Sequence, residues 1–483
     1  MNPPILRLLR PCAAAGAALA LAAAPAHSAS PASAPDPDSA AVYAAAAGRA
    51  RALVEAHRRH LDVPGMQVAV AIDGTVVWSE GFGHADLEQR TAVTPLTRFR
   101  IGSVSKTLTA AGLGVLLDRG AIDLDAPVQR YVPAFPQKPW PLTVRHLAAQ
   151  QSGIRHYTSN ADVDRTEHYA SVADALAIFA ADSLRFEPGT QYGYSSYAYV
   201  LLSAAMEGAA GEPFIPFMRR NVFEPLGMRS TGPDEVDSII PHRSRFYVPR
   251  QGGGRRNAFY VDNSYKWAAG GLLSTAEDLV RFGSAHLQPG FLSAGTLALL
   301  WTPQRTRDGA GTEVGISWEP RTTPGGRQAM TFSGNLPSGR AVLAVYPRER
   351  LVIAVLANTG EQVYWNERET FGVAEQFLAA PDTVGAVDPR GVYTFETVVS
   401  GEARRGTLQI VRGEHGYEGT LTLPPFGPAP MPLVDVRGDE ARGAAIVGSW
   451  MDVRIRFSGG APVDGTWALS RSSGTLDNLT RVR

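Results

Sequence analysis

Apolar runs beside turn residues predict a β-sheet built from both ends of the first 380 residues. Residues 68–72 and 75–79 are apolar runs separated by an Asp-Gly pair, which favours a tight hairpin turn. A second hairpin is predicted over residues 341–346 and 351–357. Between the two hairpins the pattern is mostly that of helices and loops. We therefore expect an α/β fold of the α+β type, in which helices flank an antiparallel sheet and a helical insertion lies between its two halves.

The helix predicted near the start of this insertion is apolar around most of its circumference. We expect it to begin near Ser103 and to end at Gly120, because apolar residues recur at helical spacing between them and glycine often follows a helix. A helix without a polar face has no side suited to water, so it should be central in the fold.

The hydrophobic period changes after residue 390 to that of short strands separated by turns. This change predicts a small C-terminal all-β barrel or sandwich at residues 391–483. Residues 381–390 are predicted to be a linker, and residues 39–380 the first domain. Residues 29–38 are rich in Ala, Ser and Pro, a composition typical of a disordered linker.

The first 28 residues have the pattern of a secretory signal peptide. Arg7 and Arg10 precede a short apolar run, and Ser28 ends a stretch of small residues that fits a cleavage site. The run is shorter than the roughly 20 residues needed to span a bilayer. We therefore expect a bacterial protein that is periplasmic or secreted, with no integral membrane segment after cleavage. Cys12, the single cysteine, lies in this leader, so the mature chain is expected to have no disulfide or thiol chemistry.

The composition limits the classes of partner that the protein is expected to bind. The chain has 46 basic and 46 acidic residues and no strongly basic run, so a nucleic-acid partner is not expected. We find no paired-cysteine or histidine spacing typical of a metal site, and no phosphate- or dinucleotide-binding loop, so no metal and no cofactor are expected. The expected partner is a small-molecule or peptide substrate, and the oligomeric state is left open.

The lysines carry a chemical signal because they are so few. Lys106, Lys138 and Lys266 are the only three among 46 basic residues. Arginine cannot act as a base in a protein, whereas a desolvated lysine can. Lys106 follows Ser103 by three residues, which places both side chains on one face of a helix. This spacing suits a nucleophile and its base, but an N-terminal serine followed by a solvated lysine would have the same spacing.

Residues 50–380 resemble the β-lactamase/penicillin-binding serine hydrolase family, of the class C β-lactamase and esterase type. The similar segments, in chain order, are residues 99–106, 123–133, 152–157, 260–267 and 270–278. Within the family, residues 261–267 are similar to a subgroup found in mitochondria and in bacteria. The resemblance implies the family's fold and an acyl-transfer chemistry, but it does not fix the substrate.

The resemblance also implies roles for individual residues. Ser103 would be the nucleophile, Lys106 the base, and Tyr194 the phenol that relays a proton to the leaving group. Two residues after Tyr194 the family has asparagine, and this chain has Ser196. Because serine is shorter, its contact to Lys106 or to a substrate could require a water.

The family's third motif corresponds to Phe332, Ser333, Gly334 and Asn335. The resemblance implies that the Asn335 N–H and the N–H of the nucleophile form an oxyanion hole. The family usually has a histidine or lysine at the position of Phe332, and none occurs anywhere in residues 320–345. Loss of this cation disfavours substrates that are anchored by a carboxylate, including β-lactams.

Further residues are expected near the pocket with less specific roles. His156 and Tyr157 would lie at its rim or pack a loop. Lys266 would contact substrate or hold a loop by ion pairing. Arg340 could bind a substrate carboxylate in place of the missing cation. A further departure is Gln150, where the family often has histidine.

The sequence therefore predicts a serine hydrolase that forms an acyl-enzyme on Ser103 and acts on peptide, amide or ester bonds. One alternative is a β-lactamase or D,D-peptidase acting on β-lactams or peptidoglycan. Another, of a different class, is a catalytically degenerate scaffold or sensor. Phe332 and Ser196 favour this last alternative, while retention of Ser103, Lys106 and Tyr194 argues against it.

Overall fold

The computed structural model describes residues 37–360, 365–378, 387–414, 416–447, 449–469 and 472–482. The predicted signal peptide lies outside the described residues, as do residues 29–36 of the first predicted linker and 381–386 of the second. The described part of the chain packs as one unit that starts at Pro37. The division into domains at residues 381–390 therefore stays a prediction.

The helices of the described residues flank and interrupt the first sheet. They are α1 (Pro37–His60), α2 (Ser105–Asp118), α3 (Val144–Ala148), α4 (Asn160–Val163), α5 (Val172–Leu176), α6 (Ser196–Ala210), α7 (Phe214–Met218), α8 (Trp267–Gly270), α9 (Ala276–Ser284), α10 (Ala294–Trp301) and α11 (Glu367–Leu378). Short 3₁₀ turns cover Gly102–Val104, Val128–Arg130 and Ser264–Lys266, and a π-helical turn covers Arg219–Phe223.

The strands before α11 are β1 (Gly65–Ile72), β2 (Thr75–Asp86), β3 (Thr91–Ala92), β4 (Phe99–Arg100), β5 (Gly232–Pro233), β6 (Tyr247–Pro249), β7 (Arg255–Asn257), β8 (Leu272–Ser274), β9 (Glu319–Thr322), β10 (Gln328–Leu336), β11 (Gly339–Tyr346) and β12 (Leu351–Ala357). Those after it are β13 (Gly391–Val399), β14 (Glu402–Gly413), β15 (Gly416–Thr422), β16 (Pro428–Arg437), β17 (Glu440–Ile446), β18 (Trp450–Ser458), β19 (Ala461–Leu469), β20 (Ser472–Thr475) and β21 (Asp477–Arg481).

The central sheet has the order β3-β2-β1-β12-β11-β10-β9. Strand β1 pairs antiparallel with β12, so the sheet is assembled from both ends of the domain as predicted. The first hairpin turns at Asp73 and Gly74, whose φ angles of 50° and 78° are those that a tight hairpin turn requires. The expected α+β architecture is confirmed.

Both faces of the central strands are buried, because successive side chains enter two different hydrophobic cores. Val68 and Val70 pack with α1 and α11, while Ala69 and Ala71 face α2 and α9 on the other side. This explains why the strands read as apolar runs with little alternation. Helix α2 is buried from Ser105 to Leu116, as its sequence predicts for a central helix.

The region read from sequence as helices and loops also contains short strands. β5 to β8 have two or three residues each, and β9 has four. Runs this short carry no detectable periodicity, so the pattern of apolar residues could not reveal them. The omission of β9 matters for the site, because β9 adds a residue to its wall.

The C-terminal strands form a nine-stranded antiparallel sheet that is nearly closed into a barrel. Its order is β20-β19-β18-β17-β16-β15-β14-β13-β21, and Leu476, between the last two strands, donates its N–H to the Gly465 carbonyl of β19 at 2.8 Å. The predicted barrel is thus confirmed.

The barrel packs directly against the helices of the first sheet. Leu433 and Trp450 from the barrel share a buried cluster with Leu53 of α1, with Phe371 of α11, and with Trp365, which precedes that helix. No described helix is long and apolar enough to cross a membrane.

Candidate active site

Three side chains predicted from sequence to be catalytic meet in one hydrogen-bonded group. Ser103 lies in the 3₁₀ turn that leads into α2, and its Oγ is 2.7 Å from the Tyr194 hydroxyl. Lys106, one turn further along, donates from Nζ to the same Oγ at 3.2 Å. The serine oxygen therefore has both a potential base and a potential proton relay within hydrogen-bonding distance.

Lys106 is completely buried. Its Nζ also donates to Ser196 Oγ at 3.2 Å and to the Ala269 carbonyl at 2.5 Å. Burial lowers the pKa of Lys106, because desolvation penalises the ammonium, while the neighbouring Tyr194 acts in the opposite direction and less strongly. Ser196 reaches the lysine directly, so the shorter side chain needs no bridging water.

Gln150 fixes the backbone on both sides of Tyr194. Its side-chain oxygen accepts the Ser195 N–H at 2.6 Å, and its main-chain carbonyl accepts the Gly193 N–H at 2.8 Å. Gln150 has a positive φ of 59°, and its side chain is buried. From sequence it was only a departure from the family pattern; the structure gives it a positioning contact that no local signal could reveal.

Strand β10 approaches the nucleophile backbone to backbone. A Cβ placed on Gly334 would lie 2.0 Å from the Ile101 carbonyl oxygen and 3.0 Å from the Ser103 nitrogen, so only glycine fits there. The Asn335 nitrogen is close to the same turn, 3.3 Å from a Cβ placed on Gly102. The amides of Ser103 and Asn335 therefore lie in the same small region, as an oxyanion hole requires.

A cavity of about 320 Å³ opens onto Ser103. Its wall includes the predicted residues Tyr194, Ser196, His156, Tyr157, Lys266, Phe332, Ser333 and Asn335. Arg340 does not line it: its Nε donates to the Trp365 carbonyl at 2.6 Å, and a second guanidinium nitrogen contacts Asn366. The expectation that Arg340 lies at the pocket rim is corrected here, because strand register directs its side chain toward α11.

His156 and Tyr157 support the residues around the nucleophile. His156 Nδ1 accepts the Ser196 N–H at 3.2 Å, and the ring packs edge-on against Tyr194 with 5.0 Å between ring centroids. Burial, together with the nearby Lys106 charge, lowers the pKa of His156 to about 4, so the ring is neutral at pH 7. Tyr157 stacks on His156 at 4.5 Å, and burial raises the pKa of its phenol.

Two more ionisable groups line the cavity. Lys266 is buried and donates to the Val163 carbonyl at 2.8 Å, and burial lowers its pKa to about 7. Glu319, on β9, was not predicted; burial raises the pKa of its carboxyl, and it pairs with Arg321. No sequence signal could have placed Glu319 here, since its position depends on pairing with β10 at Thr331.

Within the described residues, no group of three or more His, Cys, Asp or Glu side chains could hold a metal ion. The groups that converge on Ser103 are instead an amine, a phenol, hydroxyls and backbone amides. This set is suited to nucleophilic acyl transfer.

Comparisons with known proteins agree with this chemistry. The beta-lactamase family model matches residues 50–373. The mitochondrial serine beta-lactamase-like protein LACTB of Homo sapiens is 32% identical, over 64% of this chain and 73% of its own length. A D-aminopeptidase of Gluconobacter oxydans is 28% identical over 65% of this chain and 59% of its own length.

Among solved structures, the octameric penicillin-binding protein homologue from Pyrococcus abyssi is similar with a TM-score of 0.60. The match covers 89% of this chain and 99% of the other, at 20% sequence identity. At this identity the likeness shows the fold alone, and its coverage exceeds the range of the family model.

The expectation of a periplasmic or secreted bacterial protein is wrong by these comparisons. The relatives from human, mouse and cattle, at 32%, 31% and 30% identity, are all mitochondrial proteins. The inference failed because a basic, apolar leader without acidic residues is not unique to secretion; mitochondrial targeting segments are also basic and poor in acidic residues.

The expectation of an enzyme is confirmed, and the scaffold alternative is set aside. The family model covers most of the first sheet and its helical insertion, and a relative that matches 65% of this chain is named as a D-aminopeptidase. By family and by fold, the chain belongs to the beta-lactamase family and is a serine hydrolase.

Proposed function

We propose that the chain hydrolyses peptide, amide or ester bonds through a covalent acyl-enzyme on Ser103. The observation that carries this proposal is the contact of Ser103 Oγ with both Lys106 Nζ at 3.2 Å and the Tyr194 hydroxyl at 2.7 Å. A buried lysine whose pKa is lowered can hold a neutral amine, which is the form that accepts a proton.

In the first step, Ser103 Oγ bonds to the substrate carbonyl carbon while its proton passes to Lys106. The N–H groups of Ser103 and Asn335 stabilise the negative charge that develops on the carbonyl oxygen. The bond to the leaving group then breaks, and Tyr194 passes the proton to the departing nitrogen or oxygen. In the second step, water attacks the acyl carbon and gives up a proton to the same groups. The bond from that carbon to Ser103 Oγ then breaks, Oγ takes up the proton, and the acid product leaves.

Two observations bear on the choice between amides or esters and β-lactams, the first of them confined to the third motif. Phe332 is buried on the cavity wall where a histidine or lysine was expected, so the third motif supplies no cation. The D-aminopeptidase relative is also named for an amide-cleaving activity. The substrate is a small molecule or peptide, since the cavity of about 320 Å³ admits only a short segment.

Covalent labelling tests the proposal. A fluorophosphonate probe should form one adduct, and mass mapping should place it on Ser103. Ser103→Ala should abolish labelling and reduce turnover by roughly a thousandfold or more. Ser284→Ala, in α9 outside the cavity, should behave as wild type. An adduct on another serine, with Ser103 unmodified, would refute the assignment.

Substrate class is tested with chromogenic compounds under identical conditions. A p-nitrophenyl ester and a D-amino acid p-nitroanilide should be turned over faster than nitrocefin, a chromogenic β-lactam. Faster turnover of nitrocefin than of both other compounds would favour the β-lactam alternative.

A further inference from the structure

Lys266 is a buried amine in the catalytic cavity that the proposed mechanism does not use. Its side chain lines the same wall as Ser103 and Tyr194. Nζ donates one hydrogen bond, to the Val163 carbonyl at 2.8 Å, and lies 4.9 Å from the centre of the Tyr265 ring. An ammonium has three N–H groups, so donors remain for a ligand in the cavity.

Lys266 has no carboxylate partner at ion-pairing distance within the described parts of the chain. Its pKa falls to about 7 because burial penalises the charge and because Arg100 and Lys106 repel it. Asp164 and Asp234 favour the charge from further away, and Asp234 is already paired with Arg100 at 2.7 Å. Burial of an ammonium without a counter-ion is unfavourable, and a counter-ion supplied by a ligand would offset that cost.

The rest of the wall does not supply that counter-ion. Glu319 also lines the cavity, but its carboxylate pairs with Arg321. Phe332 is apolar and supplies no charge. Arg340, the other cation considered for a substrate carboxylate, is held by Trp365 and Asn366 away from the cavity. Within the described residues, the side chains around Lys266 therefore leave its positive charge without a carboxylate at ion-pairing distance.

We propose that Lys266 binds a carboxylate of the substrate, so that the enzyme prefers amides and esters carrying a free carboxylate near the scissile bond. The inference rests on the proposed function, because it names the substrate of the same site. With Lys266 as the anchor, the missing cation at Phe332 does not disfavour carboxylate-bearing substrates, and the preference for amides over β-lactams rests on the D-aminopeptidase relative. The bound carboxylate would keep Lys266 protonated, because an opposite charge raises the pKa of an amine.

The test compares matched substrates that differ only in one charge. Succinyl-alanine p-nitroanilide and its succinyl methyl ester place the charge on the acyl side, and hippuryl phenyllactate and its methyl ester place it on the leaving side. For each pair, the ratio of kcat/KM for the acid to that for the methyl ester is measured. Lys266→Met removes the charge with little change in length, and Lys138→Met is the control, since Lys138 contacts Ala180 and Asp182 instead.

For at least one pair, the ratio should fall about tenfold or more in Lys266→Met and stay at the wild-type value in Lys138→Met. Lys266→Arg should retain part of the preference, since it keeps the charge. A Lys266→Met ratio within about twofold of wild type for both pairs would overturn the proposal.

Fluorophosphonate labelling of Ser103 in wild type separates the Lys266 proposal from the proposed function on which it rests. Labelling with an unchanged ratio rejects the Lys266 role alone, whereas absence of labelling rejects the proposed function and the anchor with it.

If Lys266→Met does not fold, inhibition of wild type gives the answer. Hippurate should inhibit hydrolysis of a neutral ester about tenfold more strongly than hippuramide, its uncharged amide. Equal inhibition by the two compounds would overturn the proposal.

Discussion

The indole N–H of Trp450, in the C-terminal barrel, donates to Nδ1 of His57 on α1 across 2.9 Å, and both side chains are buried. Trp365 packs edge-on against both, with its ring centroid 4.7 Å from that of His57 and 5.9 Å from that of Trp450. A Cβ on Gly372 of α11 would lie 2.2 Å from the Trp450 ring, so the helix and the indole are in close contact. The barrel therefore completes the core of the catalytic part.

Trp450→Phe should destabilise the protein by about 2–3 kcal/mol. The change leaves the buried His57 Nδ1 without its donor, and a smaller ring leaves unfilled volume beside Gly372. The measurement is the midpoint of denaturant unfolding, with Trp140→Phe as control because Trp140 is 38% exposed. Equal midpoints for the two variants would show that the junction contributes little to stability.

Lowering the pH should destabilise the folded protein, because His57 is buried in its neutral form. Burial lowers its pKa to about 3, whereas an unfolded histidine titrates near its ordinary value of 6.5. Below pH 6.5, His57 binds a proton in the unfolded chain but not in the folded chain. The free energy of unfolding therefore falls as the pH falls toward 3. The His57 contribution lost between pH 7 and pH 5 is about 2 kcal/mol.

His57→Gln tests this sign, since it keeps an acceptor for Trp450 but does not titrate. Its unfolding free energy should fall about 2 kcal/mol less than that of wild type between pH 7 and pH 5. His60→Gln, exposed on the same helix, is the control. An unchanged pH dependence in His57→Gln would mean that His57 is not kept neutral by burial.

Lys106→Arg should be nearly as damaging as Lys106→Ala. Arginine keeps the charge but cannot take up the serine proton, so the rate of Ser103 labelling should fall by roughly a thousandfold. Lys138→Arg is the matched control because it makes the same exchange outside the cavity. A Lys106→Arg variant within a few-fold of wild type would make this lysine an electrostatic neighbour instead of the base.

Gly334→Ala should slow labelling of Ser103 by about a hundredfold or more. The added Cβ would meet the Ile101 carbonyl at 2.0 Å, so β10 must move away and carry the Asn335 amide with it. Gly295→Ala is the control, since the nearest atom to a Cβ there is 3.9 Å away. Normal labelling kinetics in Gly334→Ala would show that the position of this strand is not critical.

The sequence was sufficient to predict those features that depend on residues close together in the chain. Apolar runs around an Asp-Gly turn identified the first hairpin, and continuous apolarity identified α2 as central. Lys106 follows Ser103 by three positions, so a helix alone brings them together, and the scarcity of lysine drew attention to the pair. Short-range geometry follows from short-range sequence, and these predictions needed no knowledge of packing.

Contacts between distant segments could be found only in the tertiary structure. Gln150 supports Tyr194, Glu319 joins the cavity wall, Arg340 turns away from it, and Lys266 is buried without an ion-pair partner in the described residues. Each outcome depends on strand register or on how loops pack across the cavity. Residue spacing constrains neither, because side chains far apart in sequence meet only when the whole core is assembled.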